Sequence, residues 1–229
     1  MEAIITPTDA QQADRVDSHV RLCGCHTCSL ASGPMLLSST CVLCRQAGAT
    51  VCPACAGGLD PAASLPRPLE LDACVAVFDY RDARPLVTAL KNGDRRDLIG
   101  WLAERMAARA SPPAGAVVTW APTGADRARV RGYDQAELLA RALARRWGTP
   151  CRALLKRLPG PPQSGRSAGE RRANPAFRVV GRVAPSVVVV DDVATTGATL
   201  TAAARALRTA GASRVEAVVG ARAAARRAA

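Results

Sequence analysis

Short, strongly β-forming apolar runs alternate along the chain with segments whose apolar residues recur every three or four positions. That alternation predicts strands separated by amphipathic helices, packed on a largely parallel sheet. The strand candidates are Cys74–Tyr80, Ala116–Trp120, Cys151–Leu155, Ser186–Val190 and Val215–Gly220. Valines 187–190 show no polar alternation, so their strand is expected at the centre of the sheet, buried on both faces. Helical spacing joins Leu98, Leu102 and Met106, then Ala136, Leu139, Ala140 and Leu143, then Leu200, Ala203, Ala204 and Leu207. These are packing faces and carry no chemistry of their own. The pattern defines an α/β domain over residues 69–222, preceded by the Pro-rich linker 60–68 and followed by a basic tail, 223–229.

Cysteine use divides the chain. Seven of its nine cysteines precede residue 60, and Cys41-x-x-Cys44 and Cys52-x-x-Cys55 form two knuckles separated by seven residues. Four soft thiolates at that spacing suit Zn²⁺ in a closed structural site, which has no open position for catalysis. Residues 36–60 hold too few apolar side chains to fold alone, and a metal would stabilise them. Cys23, Cys25, His26 and Cys28 could replace a knuckle or form a second site. The polar composition ahead of them, and Met35 as an alternative start to Met1, favour reading residues 1–34 as a poorly ordered extension.

The 229 residues are 48% hydrophobic and 22% charged, a globular composition, and only 3% aromatic, so Ala, Val and Leu must build the core. No stretch is long and apolar enough to span a bilayer, and the first twenty residues lack the features of a secretory signal. The chain therefore reads as cytoplasmic. Its net charge of +12 suits phosphate-bearing partners, although nearly all of the positive charge is Arg, as a GC-rich genome would also produce.

The segment from Val187 to Leu200 is the most informative: a buried strand, the carboxylates Asp191 and Asp192, a loop of Thr195, Thr196, Gly197, Ala198 and Thr199, then an amphipathic helix. Open α/β sheets bind ligands at the carboxyl ends of their strands. Backbone N–H groups, threonine hydroxyls and a helix N-terminus suit a dianionic phosphate, and two carboxylates suit the neighbouring hydroxyls of a sugar. Phosphate and diol together describe a ribose 5-phosphate.

This segment resembles the phosphoribosyl-diphosphate signature of type I phosphoribosyltransferases. Over residues 36–222 the chain resembles the ComF/GntX family, in which a zinc ribbon precedes that Rossmann-like fold. The motifs that carry the resemblance run in order: the two knuckles, Tyr80 with Leu90-Lys91, Arg131-Gly132-Tyr133-Asp134-Gln135, Gln163 with Glu170 to Asn174 and Phe177, and the Asp191–Thr199 loop. The resemblance implies Mg²⁺-dependent binding of phosphoribosyl diphosphate and displacement of its diphosphate by an unknown acceptor. Asp191 and Asp192 would hold the ribose hydroxyls, residues 195–199 the 5-phosphate, and Trp120, Ala121, Pro122 and Thr123 the diphosphate. Lys91, Arg131, Arg171 and Arg172 would be the cations of catalysis, the last two on a basic lid from Arg157 to Phe177.

Two departures from the family stand out. Only Pro122 remains of a proline-rich diphosphate loop, and Asp134 replaces an Asn. A carboxylate beside a polyanion is unfavourable and suggests altered substrate handling, or binding without turnover. The competence association of the family implies a rival reading, a non-catalytic protein that binds single-stranded DNA during uptake. Clustering of Arg166, Arg171, Arg172 and Arg178 with the zinc module on one face would favour it, although few aromatics are available for base stacking. A homo-oligomeric assembly is left open.

Overall fold

A computed structural model describes residues 39–62, 70–92, 95–159 and 175–223. Strand β5 (Ser186–Ala194) organises them. Its valines 187–190 are at most 1% exposed, and successive side chains of a strand point to opposite faces. Val187 and Val189 accordingly join one apolar cluster, with Leu200, Ala203, Ala204 and Leu207 of helix α6 (Ala198–Thr209). Val188 and Val190 join the other, against helices α2 (Tyr80–Asn92), α3 (Asp97–Arg109) and α5 (Gln135–Trp147).

Four strands form the parallel sheet in the order β1-β6-β5-β2, with β1 at Ala73–Asp79, β6 at Arg214–Arg222 and β2 at Val117–Trp120. One predicted strand differs. Cys151 makes only a single parallel bridge, to Val118, and the regular strand β3 begins at Leu155 and runs to Arg157. The chain still tracks β2, because Val118 donates to Pro150 O and Arg152 donates back to Val118 O. Leu154 N then turns to the Thr119 side-chain oxygen at 3.2 Å, which ends the ladder. β3 instead pairs antiparallel with β4 (Phe177–Val179), so Arg157 and Phe177, expected as the ends of a lid loop, are strand residues. The loop between them, with Arg166, Arg171 and Arg172, lies outside the described residues, as do residues 1–38.

β5 also runs past the expected boundary. Asp191 and Asp192 lie inside the strand, which stays paired with β6 through Ala194↔Arg222. On its other side pairing with β2 stops at Val190↔Trp120. β5 thus projects beyond β2 at the carboxyl end of the sheet, and the two carboxylates sit on that projection.

The cysteine knuckles, with short helix α1 (Pro53–Gly57), contribute Val42, Val51 and Leu59 to the core that holds Leu86, Leu98 and Ile99. Arg95, just before α3, donates to Thr40 O at 2.7 Å and pairs with Asp97 at 2.7 Å. On the opposite face, α6 is tied to the entry of β1: Arg205 pairs with Glu70, and Arg208 reaches Asp72 at 2.6 Å. Helix α4 (Ala125–Arg131) ends at Gly132, whose φ of 74° takes the left-handed conformation that only glycine adopts freely.

Asp134 caps α5. Its Oδ1 accepts from Ala136 N at 3.0 Å, and its Oδ2 accepts from Thr123 N at 2.8 Å. One carboxylate therefore joins a helix start to the turn after β2. Asp134→Ala should cost about 1–3 kcal/mol of unfolding free energy in chemical denaturation, whereas Asp134→Asn, which keeps an acceptor, should cost less. Asp72 supplies a pH test. The Val215 N–H, and then the Arg208 guanidinium, hold its carboxyl below the usual range against the opposing effect of burial. Stability from a depressed carboxyl is present above the unfolded pKa of about 3.9 and is lost as pH falls through the folded value. Asp72→Asn should therefore be less stable than wild type near neutrality, and the gap should narrow in denaturation curves taken below about pH 4.

Candidate functional site

Parallel alignment leaves the carboxyl ends of β1, β5 and β2 on one edge, and the turns after them carry the polar groups. At the centre is the Asp191–Asp192 projection. Asp192 is 8% exposed, and Lys91, from the last turn of α2, places Nζ 2.9 Å from its Oδ2. Asp191 is half-buried and its Oδ1 accepts from Asp192 N at 2.8 Å. Burial, and then the neighbouring Asp192 carboxylate, push the Asp191 pKa well above the usual range, with Lys91 opposing. A carboxylate in that setting gains from hydroxyl donors that desolvate with it.

The strand neighbouring Asp192 carries Gly220, which sequence reasoning passed over. A Cβ there would meet a Leu102 methyl at 2.8 Å and Asp192 O at 3.0 Å. Glycine here lets Leu102 of α3 lie this close to β6, beside the Asp192 carbonyl. No local signal singled it out, because the requirement arises from two distant segments.

After β5, Thr195 and Thr196 are exposed and Gly197 turns the chain into α6 with φ 76°. Ala198 N reaches the Thr196 side-chain oxygen at 3.3 Å, while Thr201 N closes onto Gly197 O. The loop residues 195–199 thus surround the start of α6, where the helix dipole favours an anion. After β2, the Trp120 side chain is buried in the core beneath the Arg141 guanidinium, so that residue offers a ligand backbone rather than side chain. Ala121 is buried as well, and Pro122 and Thr123 are half-buried.

Asp134 does not stand in the site as an isolated negative charge. Both of its oxygens are engaged in the cap and the Thr123 tie, and burial raises its carboxyl pKa above the usual range, with the backbone donors of Thr123, Glu137 and Ala136 opposing. Asp134 thus has a structural role in addition to lining the cleft beside Pro122 and Thr123.

Two open clefts adjoin these turns. One, of about 550 Å³, is lined by Pro122, Thr123, Asp134, Lys156 and Arg157 among others. Arg157, at the end of β3, donates to Pro122 O at 3.4 Å; burial and then the charge of Arg127 lower its pKa, with Asp191 and Asp134 opposing. The other, of about 670 Å³, is lined by Lys91, Asn92, Arg96, Arg127, Val130, Arg131 and Tyr133. Tyr133 fixes this wall: its hydroxyl donates to Leu90 O at 2.6 Å, and the Arg96 guanidinium lies 4.5 Å over its ring. Arg131 reaches Gln135 Oε1 at 3.2 Å. Lys91 therefore pairs with Asp192 and shares a cleft with Arg131, while Arg178 is exposed on β4 and Arg171 and Arg172 lie outside the described residues. Arg96 and Arg127 were missed by sequence reasoning because single arginines in a chain with 31 basic residues carry no local signature, and Arg157 entered it only as the first residue of the lid.

At the knuckles, the ligand atoms of Cys41, Cys44, Cys52 and Cys55 lie within 4.8 Å of one another, and Cys44 Sγ and Cys52 Sγ are 3.6 Å apart. A tetrahedral site with Zn–S bonds of about 2.3 Å has S···S edges of about 3.8 Å, so the four thiols fit a metal of that size. Cys52 N donates to Cys41 Sγ at 3.4 Å. Burial raises the Cys41 pKa, but backbone donors from Cys44, Cys52 and Leu43 outweigh it and bring the thiol down to about 6.

Residues 137–229 match the family model of the phosphoribosyl transferase domain. No curated protein matches the chain. Among solved structures, a purine phosphoribosyltransferase from Pyrococcus horikoshii Ot3 is 19% identical, with a TM-score of 0.33 over 56% of this chain and 81% of that one. An adenine phosphoribosyltransferase from Leishmania tarentolae is 16% identical, with a TM-score of 0.33 over 71% and 79% of the two chains. An asparagine mutant made to analyse an invariant aspartic acid in HPRTs is 18% identical, with a TM-score of 0.30 over 54% and 63%. The matched segment contains β5, the Asp191–Thr199 loop, α6 and β6, so the site described from its geometry lies in a phosphoribosyltransferase-like α/β domain that carries a four-cysteine module.

Proposed function

We propose that the protein is a phosphoribosyltransferase that binds 5-phosphoribosyl 1-diphosphate with Mg²⁺ and transfers its phosphoribosyl group. The observation that carries this reading is the convergence on one sheet edge of the Asp191–Asp192 projection, the Thr195–Thr199 turn into α6, and the β2 turn tied down by Asp134. In this reading the 5-phosphate sits on the α6 turn and the ribose hydroxyls donate to Asp191 and Asp192. The diphosphate lies along Ala121–Thr123, where Arg157 is held by Pro122 O. Lys91 orients Asp192, and with Arg131 it balances charge as the leaving group departs.

The oxygen donors present, two carboxylates with one already paired to Lys91, suit a cation that takes most of its ligands from substrate. Mg²⁺ bound in that way would neutralise the leaving diphosphate. The four cysteines would hold Zn²⁺ in a structural role. Knuckles ahead of such a domain are the arrangement of the ComF/GntX family, and we place the chain there as part of the same reading.

Calorimetric titration with phosphoribosyl diphosphate and Mg²⁺ tests the site. Wild type should bind. Asp191→Asn/Asp192→Asn should bind at least roughly a hundredfold more weakly, as expected when two charge-assisted hydrogen bonds of about 1.5–3 kcal/mol each are weakened. No binding by folded, metal-loaded wild type would overturn the proposal. For the metal, elemental analysis should find zinc that Cys52→Ser/Cys55→Ser loses, and the unfolding midpoint of that variant should fall by roughly 5–10 °C, because metal binding adds directly to folding free energy.

A further inference from the structure

A lysine ammonium rides on a flexible four-carbon stem, so where Lys91 Nζ sits depends on where helix α2 ends. It lies 2.9 Å from Asp192 Oδ2, a buried oxygen. Asp192 also lines a largely apolar pocket with Leu86, Leu90, Leu98, Trp101 and Leu102 among others. A carboxylate bordered by such side chains is strongly disfavoured without its cation, so the end of α2 has to be held in place. The helix does not do this by itself. Its last four carbonyls have no partner within the helix, and Leu90 O is one of them.

Tyr133 supplies the missing partner: its hydroxyl donates to Leu90 O at 2.6 Å, across 43 residues of sequence. The tyrosine is itself fixed from three directions. Gly132, left-handed, ends α4 and turns the chain into it. The next residue, Asp134, is tied to Ala136 N and Thr123 N. The Arg96 guanidinium, at the start of α3, lies 4.5 Å over its ring. We infer that Tyr133 is a positioning residue for the ribose end of the site: its hydroxyl caps α2, which places the Lys91 ammonium against Asp192 and so orients that carboxylate for the sugar hydroxyls. The inference rests on the phosphoribosyltransferase reading and adds to it a residue that sets substrate affinity through Lys91. The same turn reaches the diphosphate end through Asp134 and Thr123, and the hydroxyl acts on the ribose end alone.

The test is calorimetric titration of the full chain with phosphoribosyl diphosphate and Mg²⁺, on wild type, Tyr133→Phe, Lys91→Met and the double variant. Tyr133→Phe keeps the ring and removes only the hydroxyl. It should bind about fivefold more weakly than wild type, the loss expected for one hydrogen bond. In the Lys91→Met background the same change should alter affinity by less than about twofold, because the ammonium through which the hydroxyl acts is gone. Where Lys91→Met does not fold or bind, Lys91→Gln takes its place in the cycle. Inorganic pyrophosphate with Mg²⁺, which has no ribose, should bind wild type and Tyr133→Phe within about twofold of each other. Equal losses in the two backgrounds place the action of the hydroxyl elsewhere and overturn the inference. So does an equal loss for pyrophosphate, or a Tyr133→Phe variant that melts lower but binds as wild type does. In each of these cases the phosphoribosyltransferase reading stands. If wild type does not bind phosphoribosyl diphosphate, both readings fall together.

Discussion

Burial of β5 on both faces is the constraint on which the rest of the molecule depends. Four consecutive valines cannot face water on either side, so each face of the sheet must be covered, and here parallel neighbours joined by helical crossovers cover it. Parallel alignment places all the strand ends that matter on one edge. Because β2 stops pairing at Val190 while β6 continues, β5 extends beyond its neighbour and holds two carboxylates where a ligand can reach one side of the backbone. The site is a consequence of how far two adjacent ladders run.

Polar groups around that edge are held by ties between segments distant in sequence. Asp134 joins the start of α5 to Thr123, Tyr133 joins the α4–α5 turn to the end of α2, and Lys91 joins α2 to Asp192. Each tie is made by one side chain and sets the position of a whole turn. The cysteine module participates in the same bracing. Its Thr40 carbonyl holds Arg95, the residue before Arg96, and its apolar side chains share the core of α2 and α3. A structural metal there would stiffen the wall of the larger cleft without touching any ligand.

Much of this was legible in the chain. The valine run predicted a central strand, the three- and four-residue spacings predicted α3, α5 and α6, and the paired C-x-x-C knuckles predicted a four-thiol cluster. The order of buried strand, paired aspartates, small-residue loop and helix predicted the succession of β5 and α6. Reading failed where a short apolar run had two possible partners. Cys151–Leu155 has strand composition, yet its ladder to β2 ends when Leu154 bonds the Thr119 hydroxyl, and the following residues pair with β4 instead.

Local sequence determined which segments become strands and helices, where the thiols cluster, and that a glycine turn into a helix follows a buried strand, because backbone propensity, hydrophobic period and ligand spacing act over a few residues. Tertiary structure alone decided that Asp134 ties the start of α5 to Thr123, that Gly220 must lack a side chain beneath Leu102, and that Lys91, Arg96, Arg127 and Arg131 line one cleft. Those outcomes depend on the distance between residues far apart in the chain. That distance is set by how the sheet and its covering helices pack, which no window of sequence contains.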